Sequence, residues 1–275
     1  LNLLAEGGTA DYVNTGQWSI KAIKEAKRYG NVNVVATAEA SNFSTIPAFD
    51  SWQLSQDAAY LHYTPNETIG GVEFFWTPKV AVPLVADMSS TILSRPVNVS
   101  DFGVIYAGAQ KNIGPAGLTL VIVRKDLLGK SRASTPTMLD WKTAADNDSM
   151  YNTPPTYAIY LAGLVFQWLK KQGGLAAMEA INRRKAEKLY AYIDDSPFYS
   201  NPVEKASRSL MNVPFILADS SLDKAFLAQA DQAGLLNLAG HRSVGGMRAS
   251  IYNAVTEQAV DDLIAFMQSF ARANG

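Results

Sequence analysis

The sequence predicts an α/β protein, with a large first part and a smaller α/β part after it. Three observations carry this expectation. Strand and helix patterns alternate through both halves of the chain. Three runs, 82–86, 104–106 and 118–123, are almost continuously apolar, as strands covered on both faces are. The chain has 275 residues, 48% of them hydrophobic and 18% charged, enough for roughly two domains of about 150 residues.

The first helix is expected over 17–29, where Ile20, Ile23 and Ala26 share one face and Lys21, Lys24 and Lys27 another, with Gly30 as its stop. Strands are expected at the β-branched run 32–35 and at 58–63, and Pro65 to Gly71 reads as a turn. The three apolar strands follow. Helices are expected over 156–171 and 176–193, separated by Gln172-Gly173-Gly174. The domain boundary is set there, dividing the chain into 1–174 and 175–275. Beyond it come a strand at 211–217, a helix at 221–233 and a strand at 247–252. A last helix starts near Thr256, and Val260, Leu263, Ile264, Met267 and Phe270 give it a buried stripe.

Composition removes several function classes. Lys and Arg number 24 against 25 Asp and Glu, whereas a nucleic-acid surface needs a basic excess to neutralise phosphates. The chain has no cysteine, which excludes disulfides, thiolate zinc sites and cysteine nucleophiles, and fits a reducing cytoplasm. The two histidines, His62 and His241, are too sparse for a zinc site. The longest nearly apolar stretch, 160–169, is shorter than the ~20 residues a membrane span needs. No Gly-Lys-Ser/Thr occurs, so no Walker loop cradles a phosphate.

In open α/β sheets, ligands bind beyond the carboxyl ends of strands. The second apolar run leads into Ala107-Gly108-Ala109-Gln110-Lys111-Asn112, and the first ends in Asp87. Lys111 therefore follows one expected strand and Asp87 another, 24 residues apart. A lysine there, partly buried among small residues, suits Schiff-base chemistry, since burial lowers the pKa of its amine. A carboxylate one strand away suits the protonated nitrogen of a pyridine ring used as an electron sink. Spacing alone leaves open a plainer reading, with Asp87 as a turn cap and Lys111 as a solvated loop residue.

The segment Gly108-Ala109-Gln110-Lys111-Asn112-Ile113-Gly114-Pro115-Ala116-Gly117 resembles the cofactor-lysine loop of the phosphoserine aminotransferase family, among the class V aminotransferases. The resemblance extends through Ala10-Asp11-Tyr12-Val13, Gly16-Gln17-Trp18 and His62-Tyr63-Thr64-Pro65-Asn66-Glu67-Thr68-Ile69. It continues in Ala86-Asp87-Met88-Ser89-Ser90 and Tyr151-Asn152-Thr153-Pro154-Pro155-Thr156, and closes in Gly240-His241-Arg242-Ser243-Val244-Gly245-Gly246-Met247-Arg248-Ala249-Ser250. It implies the aspartate-aminotransferase fold (fold type I), with a mixed, mostly parallel sheet in the large part, the cofactor pyridoxal 5′-phosphate and a homodimer with composite active sites.

The resemblance also implies a role for each residue. Lys111 matches the lysine that carries the cofactor and moves the substrate Cα proton. Asp87 matches the partner of the pyridine nitrogen, Trp18 the aromatic stacked on the ring, and Thr68 the hydroxyl beside its phenolic oxygen. Gln110 matches a ligand of the cofactor phosphate, and Asn152 and Thr153 residues that reach the phosphate of the neighbouring subunit's cofactor. Arg248 matches the bidentate grip on the substrate α-carboxylate. His241 and Arg242 match the stretch near the substrate's distal phosphate, and His62 receives no role. The implied reaction exchanges amino and keto groups between L-glutamate and 3-phosphohydroxypyruvate, in serine biosynthesis and, in bacterial members, pyridoxine biosynthesis.

A Gly-Arg pair and a His-Arg pair of the family match nothing after Leu1, so the expectation is a chain lacking or not showing its N-terminal segment. Two other readings stay open. One is a class V aminotransferase acting on alanine or serine with glyoxylate; the other is a dimerising fragment that holds no cofactor.

Overall fold

The computed structural model describes residues 1–242 and 244–275. Ser243, part of the last motif above, lies outside the described residues. A stretch whose polar residue hides its pattern forms an inner strand of the large sheet. In β1 (Thr9–Asn14) Asp11 interrupts an otherwise apolar run, so sequence alone does not announce a strand. Its buried carboxylate accepts from Ser55 N at 2.9 Å, Ser55 Oγ at 2.7 Å and Asn33 Nδ2 at 3.0 Å, which offsets the cost of burying it.

The next helix, α1 (Gln17–Ala26), is three residues shorter than expected. Arg28 N bonds to Glu25 O and Tyr29 N to Ala26 O, which tightens the last turn ahead of Gly30. Then come β2 (Asn31–Thr37) and β3 (Ala58–Tyr63), parallel to β1 on its two sides. The expected turn at 65–71 is a small hairpin of β4 (Asn66–Glu67) and β5 (Val72–Glu73). The three apolar runs become β6 (Leu84–Asp87), β7 (Val104–Gly108) and β8 (Thr119–Val123).

These strands form one six-stranded sheet in the order β2-β1-β3-β6-β7-β8, parallel except for antiparallel β8. The mixed, mostly parallel sheet is therefore as expected. The expectation of cover on both faces fails for β8. It is an edge strand, and Val121 on it is 40% exposed. Continuous apolarity does not separate a central strand from an edge.

After α2 (Trp141–Asp146), which the sequence reading lacks, come α3 (Thr156–Lys171) and α4 (Gly174–Asp195). Asp140 caps α2 by accepting from Lys142 N at 2.9 Å. The remaining elements are β9 (Tyr199–Ser200), β10 (Asn212–Leu217), α5 (Asp223–Gln232), β11 (Met247–Ser250) and α6 (Glu257–Asn274). Strands β11-β10-β9 make a second, antiparallel sheet. Thr256 caps α6, accepting from Ala259 N at 3.2 Å, and Val260, Leu263, Met267 and Phe270 are buried while Ile264 is half-buried.

The apolar side chains gather into two principal cores. One lies against one face of the large sheet, with Val13, Leu61, Ala86, Ile105 and Ile113 among its members. The other lies between α4, α5, α6 and the second sheet, with Leu189, Phe215, Phe226 and Met267. Buried polar bonds tie them together. Asn66 Nδ2 donates to Asn212 Oδ1 at 2.9 Å, Leu210 N to Glu73 Oε2 at 2.9 Å, and Asn253 N to Asn112 Oδ1 at 3.1 Å. β6 and β7 run parallel, so the residues just past their carboxyl ends share one rim of the sheet, which Arg248 on β11 reaches through Thr68 O.

Candidate active site

Asp87 is the last residue of β6, and Lys111 comes three residues after the end of β7. The loop between is pinned from below. Ala109, Asn112 and Ile113 are buried, and Ala109 O accepts from Gly114 N at 2.8 Å and Ile113 N at 3.2 Å. Asn112 Nδ2 donates to Ile92 O at 3.0 Å. With its neighbours sunk into the core, Lys111 is held at the rim.

There Lys111 Nζ donates to Thr68 Oγ1 at 2.6 Å and lies 5.8 Å from the centroid of the Trp18 ring. Burial lowers the Lys111 amine to about 8; the Arg248 charge adds to the lowering, while Asp87 and Glu67 oppose it. Trp18 sits in the first turn of α1, and that turn is fastened by a side chain from β4. Trp18 N donates to Glu67 Oε2 at 2.9 Å and Ser19 N to Glu67 Oε1 at 2.8 Å. Glu67 is completely buried. A Cβ at residue 16 would lie 2.6 Å from Glu67 Cδ, so Gly16 makes room for this contact.

Arg248, from β11, closes the cluster from the second sheet. Its Nη1 donates to Thr68 O at 3.4 Å, and its Nε is buried with no hydrogen-bond partner among the described residues. A guanidinium N–H left so has capacity for an added anion. On the other side, Asp87 Oδ1 accepts from Ser89 N at 3.0 Å and Ser89 Oγ at 2.6 Å. Ser89 Oγ in turn accepts from Gly108 N at 3.1 Å, linking the ends of β6 and β7.

The structure thus brings together Lys111, Thr68, Trp18, Arg248 and Asp87 out of the residues named from sequence. Gln110 is exposed and folds its amide over Gly108, where a Cβ would meet Gln110 Oε1 at 2.6 Å. Asn152 and Thr153 are exposed on the segment leading into α3. Neither hydrogen-bonds to the Lys111 cluster among the described residues. His241 is half-buried and Arg242 exposed, in the turn before β11 where His241 O accepts from Val244 N and Gly245 N at 2.9 Å.

Three residues beside the site carry no role in the sequence reading. Glu67 is one; its signal is an acid inside an apolar-flanked hairpin, which only burial makes conspicuous. The others are His62 and Tyr106, whose rings meet beneath Asp87 with His62 Nε2 and Tyr106 Oη 2.9 Å apart. His62 shows in sequence only as one of two histidines.

The class V aminotransferase family model matches residues 1–263. A phosphoserine aminotransferase of Hahella chejuensis is 67% identical over 275 residues, which is 100% of this chain and 76% of that one. The solved phosphoserine aminotransferase of Bacillus circulans subsp. alkalophilus superposes with a TM-score of 0.97 at 50% identity, covering 99% of this chain and 76% of the other. A pyridoxal-phosphate-bound phosphoserine aminotransferase from Trichomonas vaginalis superposes with a TM-score of 0.92 at 44% identity, covering 97% and 77%. The fold is therefore that of the pyridoxal-phosphate-dependent transferases. The chain belongs to the phosphoserine aminotransferases, within class V of the aminotransferases.

Proposed function

We propose that this chain is a pyridoxal-phosphate-dependent transaminase that exchanges amino and keto groups between L-glutamate and 3-phosphohydroxypyruvate, giving 2-oxoglutarate and O-phospho-L-serine. The observation that carries the reading is the Lys111 cluster. It holds an amine with a lowered pKa, bonded to a buried hydroxyl and flanked by an indole, a carboxylate and an arginine with an unused buried N–H. These groups fit pyridoxal phosphate. The amine suits its carbonyl carbon, Trp18 its ring face, Thr68 its phenolic oxygen and Asp87 its ring nitrogen, while Gln110 serves its phosphate. When bound, the cofactor supplies an electron-withdrawing ring that acidifies the substrate Cα–H.

The protein's own part is to orient and to move protons. Arg248 grips the substrate α-carboxylate with two parallel donors, which fixes the direction of the Cα–H bond. With the cofactor bound, Lys111 Nζ would take the substrate Cα proton and hand it to the cofactor carbon that keeps the amino group, and a pKa near the working pH lets one amine do both. Asp87 places a negative charge where positive charge must be kept during proton removal. His241 and Arg242 supply polar and cationic groups for the substrate's distal phosphate or, in the reverse half, the glutamate γ-carboxylate.

The division near Gly174 assigns the cofactor to the first part, with Arg248 reaching in from the second. A homodimer completes the site. The face of α3 leaves Tyr157 73%, Tyr160 60% and Leu164 42% exposed, and Asn152 and Thr153 lie directly before it. A second copy seated on α3 takes that pair toward its own cofactor phosphate. No helix among the described residues is long and apolar enough to cross a membrane, and with no cysteine the chain suits the cytoplasm.

The test is an amino-transfer assay with glutamate as donor, offering 3-phosphohydroxypyruvate or glyoxylate as acceptor. Turnover with the phosphorylated acceptor is expected, and preference for glyoxylate would replace this reading with the alanine–glyoxylate type.

A further inference from the structure

We propose that Tyr106 and His62 are positioning residues for Asp87: a two-membered hydrogen-bond relay beneath the sheet rim that aims its donors at the Asp87 carboxylate and holds it against the cofactor ring nitrogen. The proposal rests on the reading that Asp87 faces that nitrogen.

The relay follows from register. Asp87 on β6 is paired with Tyr106 on β7, and His62 on β3 with Val85 on β6. Since side chains alternate along a strand, His62, Asp87 and Tyr106 all leave the same face. His62 is 3% exposed and its ring stacks on Tyr12 with centroids 4.8 Å apart. Its Nε2 is 2.9 Å from the Tyr106 hydroxyl, and Tyr106 is the cross-strand neighbour of Asp87 on the same face.

Proton counting fixes the direction. Burial lowers His62 to about 4, with Asp87 opposing, so the imidazole is neutral near pH 7 and carries one N–H. Burial and the neighbouring Asp87 raise the Tyr106 phenol, so it keeps its single O–H. His62 Nδ1 is buried and has no hydrogen-bond partner among the described residues. A proton on Nδ1 would strand a buried donor and leave Nε2 to compete with Asp87 for the one Tyr106 proton. A proton on Nε2 strands nothing more than a lone pair. Nε2–H then donates to Tyr106 Oη, and Tyr106 O–H donates to Asp87. Ser89 grips the same carboxylate through its N–H and hydroxyl, so Asp87 is held from two sides before any ligand arrives. Fixed dipoles of this kind need no rearrangement when charge develops.

The experiment has a part that needs no variant. In the cofactor-free chain with 15N-labelled histidine, the His62 proton is expected on Nε2; a proton on Nδ1 would overturn the relay. In the holoenzyme, Tyr106→Phe and His62→Leu are expected to weaken pyridoxal phosphate affinity by about tenfold, the scale of one hydrogen bond to a charged group. They are also expected to shift the 15N signal of ring-labelled cofactor toward the unprotonated form, and to lower kcat more than they raise KM. His62→Gln, which keeps a donor near the Nε2 position, is expected to restore most of the loss. If Tyr106→Phe leaves affinity and the ring signal at wild-type values while Asp87→Asn changes both, the relay is wrong and the Asp87 reading stands. If Asp87→Asn also changes neither, both fall.

Discussion

A lysine amine in water keeps its proton to about pH 10.4, and so would be a poor nucleophile near neutrality. Lys111 differs because its neighbours are buried and its own amine is largely withdrawn from solvent. With the pKa lowered to about 8, roughly a tenth of the amine is uncharged at pH 7. The direction of the pH effect follows. Capture of added pyridoxal phosphate by the cofactor-free chain should speed up as pH rises through about 8 and level off above it. A rate in stopped-flow absorbance that keeps climbing toward pH 10 would show an unperturbed lysine. The same residue scale explains Gly16. Its missing Cβ is the space into which Glu67 reaches to hold the α1 N–H groups, so Trp18 owes its place to a residue 49 positions away.

At the scale of elements, α3 stands out. It is a 16-residue helix whose pattern is apolar almost all round, which for a surface helix marks a face awaiting cover. Exposed Tyr157, Tyr160 and Leu164 define that face. For the proposed homodimer, Tyr160→Glu is expected to shift sedimentation from dimer toward monomer at micromolar concentration, because a charge is costly to bury in an apolar contact. Unchanged dimer mass in that variant would place the interface elsewhere.

Elements also show where sequence reading works. The stripe of α6 and the run at 58–63 are visible because one burial demand dominates each. β1 is not, because Asp11 is buried against Ser55 and Asn33, and partners distant in sequence leave no periodic trace. The edge position of β8 is likewise a fact of neighbours and not of composition. At the site, Asp87 and Lys111 were legible from their place after apolar runs. Glu67, Tyr106 and His62 were not, since each acts through a contact with an element distant in sequence.

In the whole molecule, two cores are joined by buried amides. Asn182 Nδ2 donates to Ser94 O at 3.0 Å and to Asn253 Oδ1 at 2.9 Å, and Asn253 N reaches Asn112, next to Lys111. A bond network of this kind is costly to leave half-made, so it sets the second sheet against the first. Arg248 on one is thereby fixed relative to Lys111 on the other. In the function proposed above, this assembly presents one amine to pyridoxal phosphate. The most direct measurement adds the cofactor, records the visible absorption, reduces with borohydride and maps the modified peptide by mass spectrometry. A visible band before reduction and a single label on Lys111 are expected. A label confined to other lysines, with Lys111 unmodified, would contradict that function.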